Sequence, residues 1–495
     1  MSTSREESLV LPLGTTVRLN AHTYVFGGGQ ILMGGSPSRV ARLTPQAAEL
    51  FTQVQSSRRP KIPTKQHHRL LITGATSQRV AGYLVSAGMA DPDPTSLPPL
   101  GTAEITVVIP CFRRVEALRR LLRSVTSELP DSSVIVVDDA SGDLSPQIAA
   151  ASRSYGAEVI TCPRNEGPAA ARDRGLARVV TPFVAFIDTD VVLRPGSMSL
   201  LLRHFADPLL AAAAPRVLGL AQKEPSWVLR YENARSSLDH GPDASLVRPH
   251  SPHSWLSTTC LLARTSAMGA GFVAEMRVAE DVDLVWRLVS DGWRVRYEPQ
   301  SVVAHEHRSS VTTWLSRKYI YGTGAGILAQ RHGALVAPAV MSPWAGVVLG
   351  ALAAQRRWSF PVAGTATLIA TVVNFRRLRK TTPGVSPRAV LALRLSVFGL
   401  TSALGQGLAL TLRHWWPAAV AAACISQRAR RLLLVAAVAD AGWEYMRLKP
   451  RLDPFRFALA RRLDDCAYGL GVWVGAWRAR SIRSLLPTRP KRSRD

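Results

Sequence analysis

Cysteine is scarce and scattered: Cys111, Cys162, Cys260, Cys424 and Cys466 are the five in 495 residues, with no CxxC pair and no matching pair of histidines. That argues against a zinc site or a disulfide framework and fits a reducing compartment. Acidic residues are few as well. Only 35 Asp and Glu stand against 61 Lys and Arg, a formal charge of +26. Such an excess calls for an anionic partner. The basic residues are not one tail; they are spread widely and thicken after Arg356, beside apolar segments. An anionic membrane surface is therefore expected, and nucleic acid is not. The opening Met1-Ser2-Thr3-Ser4-Arg5-Glu6-Glu7 lacks the apolar core of a secretory signal, so the catalytic part is expected to be cytoplasmic. No internal repeat is evident. What is present is globular in kind, with 47% hydrophobic residues, and long enough for two or three domains.

Three regions follow from composition. Residues 1–90 form a small module. Val17–Asn20 and Gln30–Met33 are strand-like around a Gly27-Gly28-Gly29 turn, and Thr44 caps a helix that Pro45 opens. Short strands with helices predict a winged-helix-like fold, either a scaffold extension or a peptide-binding unit. Residues 91–103 read as a linker, because the prolines of Asp91-Pro92-Asp93-Pro94-Thr95-Ser96-Leu97-Pro98-Pro99 disfavour helix and sheet alike. Residues 104–330 alternate strand and helix: strands over 105–109, 134–137, 158–161 and 183–187, helices over 115–127, 148–155 and 169–179. Continuous apolar strands between helices predict an α/β domain with a parallel sheet covered on both faces, binding ligand at the strands' carboxyl ends.

Residues 331–495 change texture. Gly333–Ala354 carries no charge and is long enough to cross a bilayer; Ser359–Phe375 is uncharged but shorter; Ala389–Leu412 is apolar apart from Arg394. Arg376-Arg377-Leu378-Arg379-Lys380 and Arg428, Arg430 and Arg431 flank these runs as cytoplasmic membrane borders would. Membrane insertion is the leading expectation; interfacial helices and a soluble Ala-rich bundle are the alternatives.

Five features carry chemistry. Phe183–Ile187 ends in Asp188-Thr189-Asp190. Two carboxylates spaced by one residue after a buried strand can hold a hard divalent cation that neutralises a departing diphosphate. Val134–Val137 ends in Asp138-Asp139, where a carboxylate can accept from a base or a ribose, and Pro110-Cys111-Phe112-Arg113 ends the first strand, where a base can stack. Asn165-Glu166-Gly167 leads into a helix opened by small residues, with Asn165 as its expected N-cap; the helix start favours phosphate, and Arg172 is within reach of a nucleotide. Glu280-Asp281-Val282-Asp283 opens a further helix, where Asp281 can serve as general base. His305, in His305-Glu306-His307, is a candidate metal ligand or phosphate contact.

The order and spacing of these features resemble the family 2 inverting glycosyltransferases over residues 104–310. The resemblance rests on Ile109–Arg113, Val137–Ser141, Asn165–Gly167 with Ala171-Arg172, Ile187–Asp190, and Glu280–Leu284 with Arg287. It implies a GT-A fold, a Rossmann-like mixed sheet with helices on both faces, and a UDP-type donor. It implies Mg²⁺ or Mn²⁺ at Asp188 and Asp190, base recognition by Asp138 or Asp139, and Asp281 as catalytic base. The Gln-x-x-Arg-Trp element of processive polysaccharide synthases is absent; Arg317-Lys318-Tyr319-Ile320-Tyr321-Gly322 stands roughly where it would fall. The layout, with the N-terminal module carrying Gly34-Gly35-Ser36-Pro37-Ser38-Arg39, the Arg317–Gly322 stretch and the apolar C-terminal region, also resembles the glycosyltransferases of mycofactocin systems. That resemblance implies UDP-glucose as donor and a peptide-derived redox cofactor as acceptor, extended as a short β-glucan. A polyprenyl-linked or cell-wall acceptor is the alternative, and a non-catalytic nucleotide-sugar-binding scaffold the rival from another class.

Overall fold

The computed structural model describes residues 9–26, 29–35, 39–52, 68–381 and 388–490. Gly27 and Gly28 of the expected turn, and Ser36, Pro37 and Ser38, lie outside these residues. The chain forms two compact units: Met1–Gln222 with Ser236–His307, and Lys223–Arg235 with Arg308–Asp495.

The first unit begins with β1 (Thr16–Leu19), β2 (Tyr24–Phe26), β3 (Ile31–Gly34), β4 (Arg39–Arg42), α1 (Pro45–Thr52), β5 (Arg69–Leu71), α2 (Ala75–Ser86) and β6 (Ala90–Pro92). Two three-stranded antiparallel sheets result, ordered β5-β1-β6 and β2-β3-β4. Leu32, Phe51, Leu70 and Leu84 share one core with α1 and α2. Thr44 does cap α1: the Ala47 amide donates to its Oγ1 at 3.2 Å. The proline-rich stretch expected to carry neither helix nor sheet carries both. Ala90–Pro92 is a strand paired to β1, and Pro94–Ser96 is a turn of 3₁₀-helix capped by Asp93. Pro92 is tolerated because it terminates a strand at a sheet edge. Asp91 is buried against Arg296, at 2.7 Å.

The remainder of this unit runs β7 (Ile105–Cys111), α3 (Val115–Glu128), β8 (Ser133–Asp138), α4 (Ser145–Arg153), β9 (Glu158–Thr161), α5 (Pro168–Leu176), β10 (Phe183–Ile187), β11 (Val191–Leu193), α6 (Ser197–Arg203) and β12 (Leu210–Gly219). After α7 (Trp227–Arg235), which belongs to the second unit, come β13 (Ser245–Leu246), β14 (Cys260–Arg264), α8 (Glu280–Ser290) and β15 (Arg294–His305). The sheet order is β11-β15-β12-β14-β10-β7-β8-β9, with β13 on β15. Its β10-β7-β8-β9 half is parallel, as the apolar runs predict, whereas β14 is antiparallel to both β10 and β12, so the whole is mixed. Every residue of β10 is buried. The chain lays down β7, β8 and β9 in one direction and returns to place β10 on the other side of β7. The topological switch point is therefore between β7 and β10, where a crevice opens beyond the carboxyl ends.

The second unit adds α9 (Val311–His332), α10 (Pro343–Ala354), α11 (Ser359–Thr381), α12 (Arg388–Ala409), α13 (Trp416–Ile425), α14 (Gln427–Leu448) and α15 (Pro454–Arg478). The uncharged Gly333–Ala354 run is not one spanning helix. Gly333–Val336 is a 3₁₀ turn and α10 has 12 residues, about 18 Å of helix, too short for a bilayer. Pro343 sets the break by opening α10. The segment Arg388–His414, made of α12 and a π-helical turn, is long and apolar enough to cross a membrane.

Candidate functional site

The loops at the switch point gather most of the candidates. Cys111 ends β7, and Arg113 follows with a left-handed backbone, φ 55°. Its amide donates to Ser141 Oγ at 2.8 Å, and its guanidinium reaches Ser141 O and Asp143 at 3.2 and 2.8 Å. Arg113 thus binds the loop after β8. Phe112 stays 47% exposed, an aromatic face open to stacking. Pro110 lies within β7, paired to Val137.

Asp138 and Asp139 diverge. Asp138 is fully buried; Oδ1 accepts from the Ser141 amide at 3.1 Å, while Oδ2 has no hydrogen-bond partner. Asp139 takes the amides of Glu166 and Gly167, both at 2.9 Å, on its two oxygens. It therefore shapes the phosphate-side loop. Asn165 is not the cap of α5: its amide donates to Asp139 O at 3.1 Å, and Gly167, at φ 96°, occupies the cap position. Only a glycine enters that backbone region without strain.

Arg172 is 3% exposed and lies at the centre. Nη2 donates to Asp188 Oδ1 at 2.7 Å and Nη1 to Glu280 Oε1 at 2.9 Å, with the guanidinium over the Phe272 ring at 5.6 Å. One side chain of α5 thereby ties the end of β10 to the start of α8. Burial lowers the Arg172 pKa, but Asp188 and Glu280 raise it further, so the net shift is upward. Asp281 follows Glu280. Burial, then the Glu280 charge, push its carboxyl up to about 7. Asp283, by contrast, is buried and bound to Arg287 at 2.8 Å, which fixes α8.

On the other side, Asp190 accepts from Arg114 Nη1 at 2.7 Å, and His305 Nε2 lies 3.3 Å from its Oδ1. His305 Nδ1 is 3.1 Å from His307 Nδ1. Burial opposes ionisation of Asp190, but the His305 hydrogen bond and charge, with Arg114, hold it well below the usual carboxylate range. Arg114 was not singled out in the sequence. The left-handed turn at Arg113 that precedes it has no sequence signal, since arginine rarely adopts that conformation.

Asp188, Asp190 and His305 supply the oxygen and nitrogen donors a hard divalent cation uses. Each aspartate already engages an arginine, and among the described residues no group of three or more His, Cys, Asp or Glu side chains is gathered as a ready metal cage. The donor chemistry fits, with Asp188 Oδ1 paired to Arg172 and Asp190 Oδ2 to Arg114.

A family model described as glycosyl transferase family 2 matches residues 106–259, and one described as glycosyl transferase family group 2 matches residues 183–433. Over 491 residues the chain is 38% identical to a pre-mycofactocin glycosyltransferase of Mycobacterium tuberculosis, covering 96% of this chain and 98% of that protein. It is 31% identical over 234 residues to the N-acetylglucosaminyl-diphospho-decaprenol L-rhamnosyltransferase of the same organism, covering 39% of this chain and 73% of that one. A solved mannosyltransferase from Pyrobaculum calidifontis aligns at TM-score 0.37 and 16% identity, over 63% of this chain and 88% of that one.

Proposed function

Because the chain belongs to the family 2 glycosyltransferases, we propose that it transfers a hexose, glucose in the leading reading, from a UDP-sugar to a peptide-derived redox cofactor of the mycofactocin type, with inversion at the sugar carbon. The carrying observation is the Arg172 bridge between Asp188 and Glu280. It couples the carboxylate that would face the donor to the helix start that bears Asp281. A carboxyl pushed up to about 7 is a stronger base than an ordinary aspartate and still ionises near neutrality.

Asp281 takes the proton of the acceptor hydroxyl as its oxygen forms the new bond to the sugar carbon and the UDP oxygen leaves from the opposite face. Asp188 and Asp190, with His305, would hold Mg²⁺ or Mn²⁺. The ion, when bound, offsets charge on the departing diphosphate. Phe112 offers the base a stacking face, and the unpartnered Oδ2 of Asp138 is an acceptor suited to a pyrimidine imide or a ribose hydroxyl. Pro110, Arg113, Asp139, Asn165 and Gly167 build the walls around it, and the α5 start favours phosphate.

The N-terminal module is the proposed holder of the peptide acceptor. It is anchored to the catalytic part by Asp91–Arg296 at 2.7 Å, by Arg248 to Ser86 O at 2.7 Å, and by Arg203 to Thr95 O and Leu97 O, both at 3.1 Å. The apolar second unit supports association with a cell membrane, with the catalytic unit on the cytoplasmic side.

The test is transfer itself. Purified protein, UDP-glucose and Mn²⁺ are incubated with the mycofactocin precursor peptide product or with a polyprenyl phosphate. Hexose additions on the peptide product, read by mass spectrometry, are expected. Transfer to the lipid alone would replace this reading with the second one, a membrane enzyme acting on a polyprenyl-linked acceptor. Likeness to a decaprenol-linked rhamnosyltransferase and the apolar helices favour that second reading.

A further inference from the structure

Arg114 touches the two-aspartate segment from outside. It pairs with Asp190 at 2.7 Å from a side chain that is 41% exposed, whereas the aspartate is 16% exposed. The arginine reaches in from solvent. Arg172 differs in kind: it holds Asp188 while nearly fully buried and tied to Glu280 at its other end. Each carboxylate of the two-aspartate segment is therefore neutralised by a guanidinium, and only the one on Asp190 can swing away without dismantling the site.

A divalent cation and the Arg114 guanidinium compete for the same aspartate. A cation on Asp190 would also repel a guanidinium fixed beside it. Once displaced, Arg114 remains on the loop after β7, at the switch-point crevice. A planar fork of donors there matches phosphate oxygens.

We propose that Arg114 is the resident partner of Asp190 and that, when a divalent cation binds Asp190, Arg114 turns to pair with the diphosphate of the donor. This rests on the proposed metal role of Asp188 and Asp190. No bond is made or broken; the step exchanges ion pairs. It orders events as well, because the cation must arrive before the arginine is free for the donor.

The test uses the full chain as wild type, Arg114→Gln and Asp190→Asn. Free Mn²⁺ is followed by electron paramagnetic resonance, first with Mn²⁺ alone. Arg114→Gln is expected to bind Mn²⁺ about two- to fivefold more tightly than wild type, the range set by an exposed ion pair the metal no longer displaces. UDP is then titrated at saturating Mn²⁺, where Arg114→Gln is expected to bind UDP about tenfold more weakly. The pair of opposite signs is the signature. Equal or weaker Mn²⁺ binding by Arg114→Gln overturns the competition, and unchanged UDP affinity overturns the transfer to diphosphate. If Asp190→Asn binds Mn²⁺ like wild type, the metal assignment itself falls and takes the proposal with it. Mn²⁺ binding lost in Asp190→Asn but unaltered in Arg114→Gln leaves the metal site standing and removes Arg114 alone.

Discussion

In the proposed base role, Asp281 would set activity and stability in opposition. Its carboxyl is pushed up to about 7, chiefly by burial, while the same group in an unfolded chain ionises near 3.8. Activity that needs the ionised base should rise with pH through about 7 on the acid limb of kcat/KM, a profile a pH–rate series would give directly. The stability sign is the reverse. Between pH 4 and 7 the unfolded chain loses a proton that the folded protein keeps, so folding weakens as pH rises and then levels off above about 7. Asp281→Asn lacks this penalty. It should lose about 10²- to 10⁴-fold in turnover while keeping UDP affinity. Its thermal stability should exceed wild type by on the order of 1–2 kcal/mol at pH 8, with the gap closing towards pH 4. Retained turnover removes Asp281 from the base role, and a stability gap that does not depend on pH removes the raised ionisation. Arg172 makes the complementary case. Arg172→Ala leaves Glu280 buried beside an unanswered charge and should cost about 3–5 kcal/mol in thermal unfolding. Arg172→Lys can meet only one of the two carboxylates, so it should fall between. The positions of Asp188, Asp190 and Asp281, after β10 and at the start of α8, were legible because they follow from apolar runs. The roles of Asp139, Asn165 and Arg114 were not, because each depends on which way a loop backbone turns.

Elements were legible where side chains repeat a period. Glu158–Thr161 and Phe183–Ile187 match the strands read from sequence, and the β7, β8, α3 and α5 segments match within a few residues. The short strands β2, β4, β5 and β6 were missed, since three or four residues give too little alternation and Pro92 argues against a strand. The reversal at β14 was also hidden, because a buried strand reads as the same apolar run in either direction. A different signal, small residues at close spacing, marks the α9–α15 pair. A Cβ on Gly326 would come 2.1 Å from Gly475 O, and one on Gly471 2.0 Å from Tyr319 O. The two backbones touch through glycine, as small-residue helix interfaces do in apolar surroundings. Gly326→Ala should therefore destabilise the helical unit by about 1–3 kcal/mol, measured by thermal unfolding in detergent. Gly346→Ala in α10, where a Cβ meets nothing within 4 Å, is the control and should be neutral or stabilising by up to about 1 kcal/mol. Equal behaviour of the two variants would exclude the close approach.

Over the whole chain, charge and apolar surface are the two features that bear on the proposed membrane association. The net charge is +26. Arg388–His414 spans 27 residues, and its most apolar 18-residue window has a mean hydropathy of 1.4 with 17% of that window buried in the protein. At about 1.5 Å per residue that is roughly 40 Å of helix against a hydrocarbon thickness of about 30 Å. Phe360, Leu368 and Ile369 on α11 and Leu434, Val435 and Val438 on α14 are exposed too. Arg376, Arg377 and Arg379 precede the long helix, and Arg428, Arg430 and Arg431 follow it. Two forces are thus available for membrane attachment, and salt separates them. At about 1 M salt the screening length falls to about 3 Å and basic residues lose their hold on anionic lipid, whereas apolar burial is not weakened. The full chain should stay in the membrane fraction after such a wash and enter solution only with detergent. Release by salt alone would mean that the arginines hold the protein at the surface and that Arg388–His414 does not enter the bilayer.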